Sequence, residues 1–579
     1  MNTLKLAFLI LLSLTSEHLL AQVTESDTSK NKSITLEEVV ISVNKTEETK
    51  KTVAQQVQTM TAEEIAAAQS QSTADVVANS GNVFVQKSQG GGGSPVIRGL
   101  EASRILLVID GVRMNNLIYR AGHLQDIIKT DNNALERMEI LFGPSSTVYG
   151  SDALGGVIHM YTKKPMLAAD DSNSVLKVNA MSRFGSVNSE YTGHVDFNLG
   201  RKNFASLTSF SYSSFGDLKN GKNQNPFYNG SYSERLYYAE RFGNTDSIVK
   251  NDNRHVQVGS AYSQYDLLQK FLFKQNAHLS HGLNMQYSNS SDVPRYDRLT
   301  EGLANTLDYS EWYYGPQMRL LAAYDMNRKN TERKIQNIHF GLSFQALEES
   351  RHERNFGSDL MRHRMERVNV IGANLDFQRV TNHHNLRFGA DMQLNSLEST
   401  ANIENIVTGI SSATGTRYPD GDNTMNNYAV YFAHTWKLSG QLILTDGIRG
   451  GYSSLHSTLV DTSLQKHLPY TDLKQNLPVY SGSIGIIHSP SDNLKMSLLV
   501  STGFRVPNVD DLAKIFDSAP GMVIVPNTDL KPEQTLNYEL GVSKIFGEKT
   551  RWENSVYYTD YRDIAVVDAF RFNGQDSIL

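Results

Sequence analysis

The chain has 579 residues, with 55 Lys+Arg against 61 Asp+Glu and a formal net charge of −6. It therefore lacks the basic surplus that phosphate neutralisation demands of a nucleic-acid binder. Zero Cys excludes disulfide frameworks, Cys-ligated zinc, iron–sulfur clusters, thiol nucleophiles and a Cys-linked lipid anchor.

Residues 1–21 read as a secretory signal: Lys5 precedes the apolar run Leu6 to Leu14, and Leu19-Leu20-Ala21 offers a small-residue cleavage site before Gln22. That run is too short to cross about 30 Å of hydrocarbon as a helix. No later stretch reaches 18 consecutive apolar residues, so any passage through a membrane falls to strands. Within residues 22–48, Val23 to Lys32 is polar and expected to be disordered. Leu36 to Asn44 is short and β-branched around Val39, Val40, Ile41, Ser42 and Val43. It suits either an extended peptide that pairs with another sheet's edge or the first strand of the next domain.

Residues 49–165 form a small α/β unit. Thr61 to Glu64 is a capping box leading into an Ala-rich helix, and Ser72 to Asp75 opens a second helix that Ser80-Gly81 ends. Apolar runs at Val83 to Val85, Ile105 to Ile109 and Met138 to Phe142, each bounded by Gly, Pro or Asp, predict short strands.

From residue 166 to 579 the pattern is strict alternation. Ile338, Phe340, Leu342 and Phe344 interleave with His339, Gly341, Ser343 and Gln345, and Val195, Phe197 and Leu199 with His194, Asp196 and Asn198. A polar inner face and an apolar outer face are the signature of a transmembrane β-barrel, whose strands need about nine to eleven residues. His434 breaks the rule by falling on the outward set of Tyr428 to Trp436. About fifteen such strands fit, an odd number where single-chain bacterial barrels have an even one. The chain is therefore expected to be C-terminally incomplete.

Three groups of motifs resemble the TonB-dependent outer-membrane receptors. Gly90 to Gly99, Leu107 to Met114 and Glu136 to Ile158 are similar to the family's plug strings, with Phe142 where most members place Arg before Gly-Pro. Gly503-Phe-Arg-Val-Pro507-Asn with Asp510 to Leu512, and Pro526 to Glu533 with Asn537 to Gly541, resemble its paired late boxes. Val39 to Val43 then stands where the TonB box belongs. The resemblance implies an all-β barrel of 22 strands around an N-terminal α/β plug, exported to the bacterial outer membrane and energised by TonB and its inner-membrane complex. Arg98, Arg104, Arg113 and Arg137 with Asp110, Glu136 and Glu139 are expected to pair with wall acids across a wet interface, and the glycines at 90–93 and 155–156 to allow close backbone approach.

Within the family, Val83 to Ser88 with the glycine run, Arg120 to Gln125 and Asp292 to Arg298 most resemble haem and haemoglobin receptors, with weaker support from Tyr314-Gly-Pro and Glu348 to Arg351. His123 lies in a Gly-His-Leu context similar to the plug-apex histidine that binds haem iron there, and imidazole is a normal axial ligand. The subfamily's second axial His has no counterpart between Asn508 and Val525, where Met522 is the one conventional haem-ligating side chain. A loop holding His352 and His363 is the other source of a second ligand. The resemblance thus implies import of haem, or of haem taken from haemoglobin with or without a surface lipoprotein. A ferric siderophore or cobalamin is the alternative cargo, and a non-transporting adhesin the alternative class. No HExxH, no GxSxG and no intact Walker loop occurs, so nothing in the chain supports an enzyme or a resident cofactor.

Overall fold

Both capping boxes form. Thr61 Oγ1 accepts from the Glu64 backbone while Glu64 accepts from the Thr61 N–H, and the same reciprocal pair joins Ser72 and Asp75. They open the helices Ala62–Ala67 and Thr73–Asn79 at the front of the inner domain. The structure, a computed structural model, describes residues 39–40, 43, 45–120, 126–171, 173–223, 234–302, 306–460, 471–514, 517–519, 522–523, 527–547 and 550–566. The signal, the polar segment after it, His123, Ile41 and Ser42 lie outside the described residues.

The inner domain is built on a five-stranded sheet in the order Val57–Thr61, Leu135–Phe142, Gly156–Thr162, Ile105–Ile109, Val112–Arg113. Gly156–Thr162 runs parallel to Ile105–Ile109 and antiparallel to Leu135–Phe142. Every residue of Ile105–Ile109 is buried, because the sheet carries core on both faces and a continuous apolar run fits such a strand. Each such side chain contributes about 1.5–3 kcal/mol.

Around this domain runs one sheet of eighteen strands, three of which, Val293–Pro294, Tyr309–Tyr314 and Ser411–Ala413, are short additions between long antiparallel neighbours. Alternation is as the sequence dictates: Glu190–Gly200 switches between buried and exposed at every residue, with Val195, Phe197 and Leu199 outward. No helix among the described residues is long and apolar enough to cross a membrane. Among the described residues, no pairing joins the first strand, Val175–Gly185, to the last, Thr550–Arg562.

The two ends of the wall differ. At one end the strands join through short turns such as 381–383 and 438–441, and the N-terminal segment lies here, with Lys51 Nζ 2.7 Å from Asp492 and Arg387 paired with Glu48. The other end carries the long connections, and Asn337–Asn355, Leu360–Val380 and His384–Asn405 have 19, 21 and 22 residues, about twice what hydrocarbon requires. Their outer faces change accordingly, from Phe344 and Ile371 to a ladder in which Arg367 reaches Glu348 at 3.0 Å and Glu398 at 3.9 Å.

The inner face is not uniformly polar, contrary to what the alternation predicts. Leu347, Val368, Val370, Leu397, Met425 and Leu455 form an apolar belt inside the wall, covered by Leu117 and Ile118 of the inner domain and by Val506, Val509 and Leu512. A domain seated in a lumen needs its own dry contact, and one side of that contact must come from the inward set.

Candidate functional site

The motif strings turn out to hold one another. The Phe504 amide donates to Ser146 Oγ at 3.1 Å, the Val506 amide to Ser151 Oγ at 3.0 Å, and the Asp152 amide to the Phe504 carbonyl at 3.1 Å. Asn508 Nδ2 reaches the Tyr119 carbonyl at 2.7 Å, and the Val509 amide the Leu117 carbonyl at 3.0 Å. Arg104 then makes a two-pronged contact with Glu533, at 3.0 and 2.7 Å. Arg505 shares the same carboxylate at 3.8 Å and also pairs with Asp511. Glu533 is fully buried, so Arg104 of the plug and the two late boxes converge on one carboxylate. Burial disfavours the Arg104 charge, but Glu533 and Tyr561 outweigh that and raise its pKa.

Of the charged plug residues expected to meet wall acids, Arg98 does so, with Nη1 2.7 Å from Glu539 and its guanidinium 4.1 Å from the Tyr557 ring centre. Gly143, at φ +85°, leaves room for it: a Cβ there would sit 2.8 Å from Arg98 Nη1. Gly90 and Gly91 permit a similar approach to wall Tyr262, at 2.6 and 2.7 Å from the positions their Cβ atoms would take.

The remaining charged residues are used differently. Arg113 stays inside the plug, on the Tyr149 and Ser151 carbonyls and Asp152, and Arg137 pairs with buried Glu139 at 2.8 Å. Glu136 adds to the field around Arg137. These are corrections to the expected set: partners within the plug itself, two residues along the same strand for Arg137 and in the 149–152 turn for Arg113, satisfy them before the wall can.

Asp110 meets a cation and amides, not an acid. It accepts from the Thr162 amide and hydroxyl, from Asn284 and Gln286, each at 3.0 Å, and lies 3.0 Å from Lys270 Nζ. Burial favours its neutral form, but Lys270 and Thr162 more than compensate and hold its pKa below the ordinary value. The carboxylate borders a cavity of about 430 Å³ between plug and wall, lined also by Lys45, His159, His339, Asp376 and Arg449. On the plug side, the Gly111 amide donates to His159 Nε2 at 3.1 Å, while Tyr149 and Tyr161 hydroxyls lie 3.2 and 3.1 Å from Nδ1. Burial pushes the His159 pKa down to about 4.

The β-branched N-terminal segment is not a free strand in this state. Val39–Val40 pairs antiparallel with Glu48–Thr49, and Val40 is fully buried among Val53, Leu106 and Tyr149. Lys45 projects into the lumen, 3.9 Å from both Asp376 and Asp391 and 5.0 Å from the Tyr431 ring centre. Pairing of Val39 to Val43 with a second sheet therefore requires Val39–Val40 to leave Glu48–Thr49.

Above the plug, four segments singled out in the sequence meet. Arg120 lies 3.2 Å from Glu349, which also takes Lys129 at 3.3 Å. Arg295 and Arg351 both lie over Trp312 and Tyr314, at 4.8 to 5.8 Å from the ring centres. Arg417 reaches Asp510 at 3.0 Å, beside the Tyr418 hydroxyl at 2.7 Å and Lys514 at 3.6 Å. Six cations (Arg120, Lys129, Arg295, Arg351, Arg417, Lys514) thus face four carboxylates (Asp297, Glu349, Glu366, Asp510) among the described residues. Burial pushes the Tyr314 phenol up, but Arg351, Arg295, Arg120 and Arg417 reverse this and bring it down to about 8.

The segment 121–125, with His123, leaves directly from Arg120 but lies outside the described residues. Met522 falls in a two-residue strand, Met522–Val523, paired with Asp517–Ala519, and its side chain is likewise outside them. His352 and His363 are not in a loop. They oppose each other across two long strands, with Nδ1 atoms 2.6 Å apart and His352 stacked on Tyr313 at 4.7 Å. Alternation with inward Arg351 sets them on the outer face, away from the apex.

Comparison with known proteins supplies the class. Residues 169–576 match the family model "TonB dependent receptor-like, beta-barrel" and residues 49–157 match "TonB-dependent Receptor Plug Domain". Among solved structures, the Serratia marcescens hemophore receptor HasR, in complex with its hemophore HasA and heme, is 15% identical, with TM-score 0.66 over 88% of this chain and 73% of that one. The copper transporter OprC is 14% identical, with TM-score 0.65 over 83% and 68%. The ferric yersiniabactin uptake receptor FyuA from Yersinia pestis is 16% identical, with TM-score 0.59 over 88% and 73%. At these identities the solved structures speak to the fold alone.

Proposed function

This chain belongs to the TonB-dependent receptors of the bacterial outer membrane, and from that membership we propose that it imports an anionic iron chelate, with haem as the leading cargo. The observation that carries this reading is the apex cluster, where six cations stand with four carboxylates among the described residues around Trp312, Tyr314 and Tyr418. Guanidinium groups suit carboxylates presented at an aromatic-lined surface, and haem offers two propionates on a planar ring. His123, three residues beyond Arg120, is the proposed axial ligand. Met522 is the proposed second one, since the segment before it is anchored to the plug through Asn508 and Val509.

A ferric siderophore is the second reading, because a cationic surplus serves any multiply charged chelate. An adhesin would have no use for the β-branched segment at Val39 to Val43, whereas an importer needs it as a strand for TonB.

Haemin titration of the purified receptor, followed by uptake of labelled haem into cells, tests both parts. His123→Ala is expected to reduce the Soret shift and weaken binding by about tenfold or more, about 1.4 kcal/mol per decade, while His383→Ala leaves both unchanged. Val40→Pro keeps binding and loses uptake, because Pro removes a donor from the pairing strand. Equal binding by wild type and His123→Ala removes the haem site, and undiminished uptake by Val40→Pro removes energised import.

A further inference from the structure

His434 breaks the alternation of its strand, and its neighbours give it a role. Its Nδ1 lies 3.0 Å from Asp446 Oδ2 and its Nε2 3.0 Å from His384 Nδ1. The His384 ring stacks on His434 at 5.2 Å and on Trp436 at 5.5 Å. These side chains come from three adjacent strands, His384–Asn405, Asn423–Lys437 and Leu442–Thr458. All lie on the outward set with Val430 and Ile448, 63% and 67% exposed. Arg379, exposed on the next strand over, shares the outward set of Ile371 and Leu375 and pairs in register with Leu386.

The patch lies where the short turns 381–383 and 438–441 are, the end that also holds the N-terminal segment. In an outer-membrane receptor that is the periplasmic end, so the patch stands at headgroup level of the periplasmic leaflet. A carboxylate on a lipid-facing wall is costly unless it finds a cation or hydrogen-bond donors. His434 engages one of the two Asp446 oxygens, and the Asp446 side chain remains 37% exposed. The outward surface thus presents a carboxylate and a guanidinium on either side of a stacked ring platform, a pattern complementary to a zwitterion.

We propose that this patch binds the headgroup of a phosphoethanolamine lipid. Asp446 takes the primary ammonium, and Arg379, extending along the surface on its apolar stem, takes the phosphodiester with help from the Trp436 indole N–H. The His384–His434 stack orients Asp446 and covers the start of the glycerol backbone.

The test uses the full-length receptor, released from membranes in mild detergent and offered equimolar dioleoyl phosphatidylethanolamine, phosphatidylcholine and phosphatidylglycerol. Bound lipid is read by native mass spectrometry. Wild type should retain phosphatidylethanolamine over phosphatidylcholine by about tenfold, equivalent to about 1.4 kcal/mol, because a trimethylated ammonium cannot donate to Asp446. Asp446→Asn, nearly isosteric on an exposed surface, should bring that ratio close to one. Arg379→Gln should lower retention of both phosphatidylethanolamine and phosphatidylglycerol, and it serves as the second variant should Asp446→Asn lose heat-modifiable migration. A wild-type ratio of one, a ratio unchanged in Asp446→Asn, or a wild-type preference for phosphatidylglycerol would overturn the proposal.

Discussion

The plug touches its wall in two unlike ways. Towards Glu533–Phe546 the contact is dry and ionic: Arg104 and Arg505 converge on fully buried Glu533, and Arg98 on Glu539. Towards Leu279–Ser290 and its neighbours the contact is wet. Asp110 accepts from Asn284 and Gln286 and pairs with Lys270 beside a cavity of about 430 Å³. Ion pairs buried away from water are expensive to open because each leaves an uncompensated charge, whereas an ion pair and amide contacts that border a cavity can exchange partners with water at lower cost. Movement that opens a passage therefore costs least on the cavity side, with the late boxes acting as a fixed hinge post.

Removing the post should have the largest effect. Glu533→Ala leaves Arg104 without its buried carboxylate and Arg505 with Asp511 alone, a change expected to destabilise plug seating by about 3–5 kcal/mol. Limited proteolysis of the plug in assembled receptor measures it, and wild-type resistance would refute the dry-side assignment.

The next effect is one of pH. His159 has a folded pKa of about 4 against an ordinary 6.5, so its neutral form is the native one. The stability it confers is complete above pH 6.5 and is lost as pH falls towards 4, by about 3 kcal/mol. Denaturant unfolding of the plug at pH 7 and pH 4 should show the fall. His159→Gln, which cannot titrate, should flatten that part of the profile.

The smallest effect belongs to the wet side. Asp110→Asn gives up the Lys270 pair and turns one acceptor oxygen into a donor facing donors, yet the adjoining cavity lets water reach both groups, and about 1.5 kcal/mol is expected in the same unfolding assay. A loss as large as that of Glu533→Ala would erase the distinction between the two sides.

Local signals in the sequence were enough for local structure. Thr61 and Ser72 cap their helices because the capping box is complete within four residues, and Val195, Phe197 and Leu199 face outward because strand period alone decides it. What depends on register across the wall was not legible. Nothing near Glu533 in sequence announces Arg104, which lies 429 positions away, and Leu347 gives no sign that Leu117 will cover it. His352 and His363 read as loop residues, yet the strands continue beyond the lipid-facing band and set them opposite each other. The apex is a middle case: Arg120, Arg295, Tyr314 and Arg351 each stand in a motif string of their own, but only the fold brings them to one place.

The hinge-post account is tested most directly by tethering, and a chain without Cys gives a clean background. One double variant, Arg98→Cys with Glu539→Cys, places thiols across the dry contact; the other, Asp110→Cys with Asn284→Cys, places them across the wet one. Uptake of labelled haem, the cargo proposed above, is compared before and after closure with a short thiol cross-linker, each protein serving as its own control. Closure of the Asp110–Asn284 tether should abolish uptake while surface binding persists, and closure of the Arg98–Glu539 tether should leave uptake largely intact. Uptake that survives the first tether and fails with the second would contradict the account.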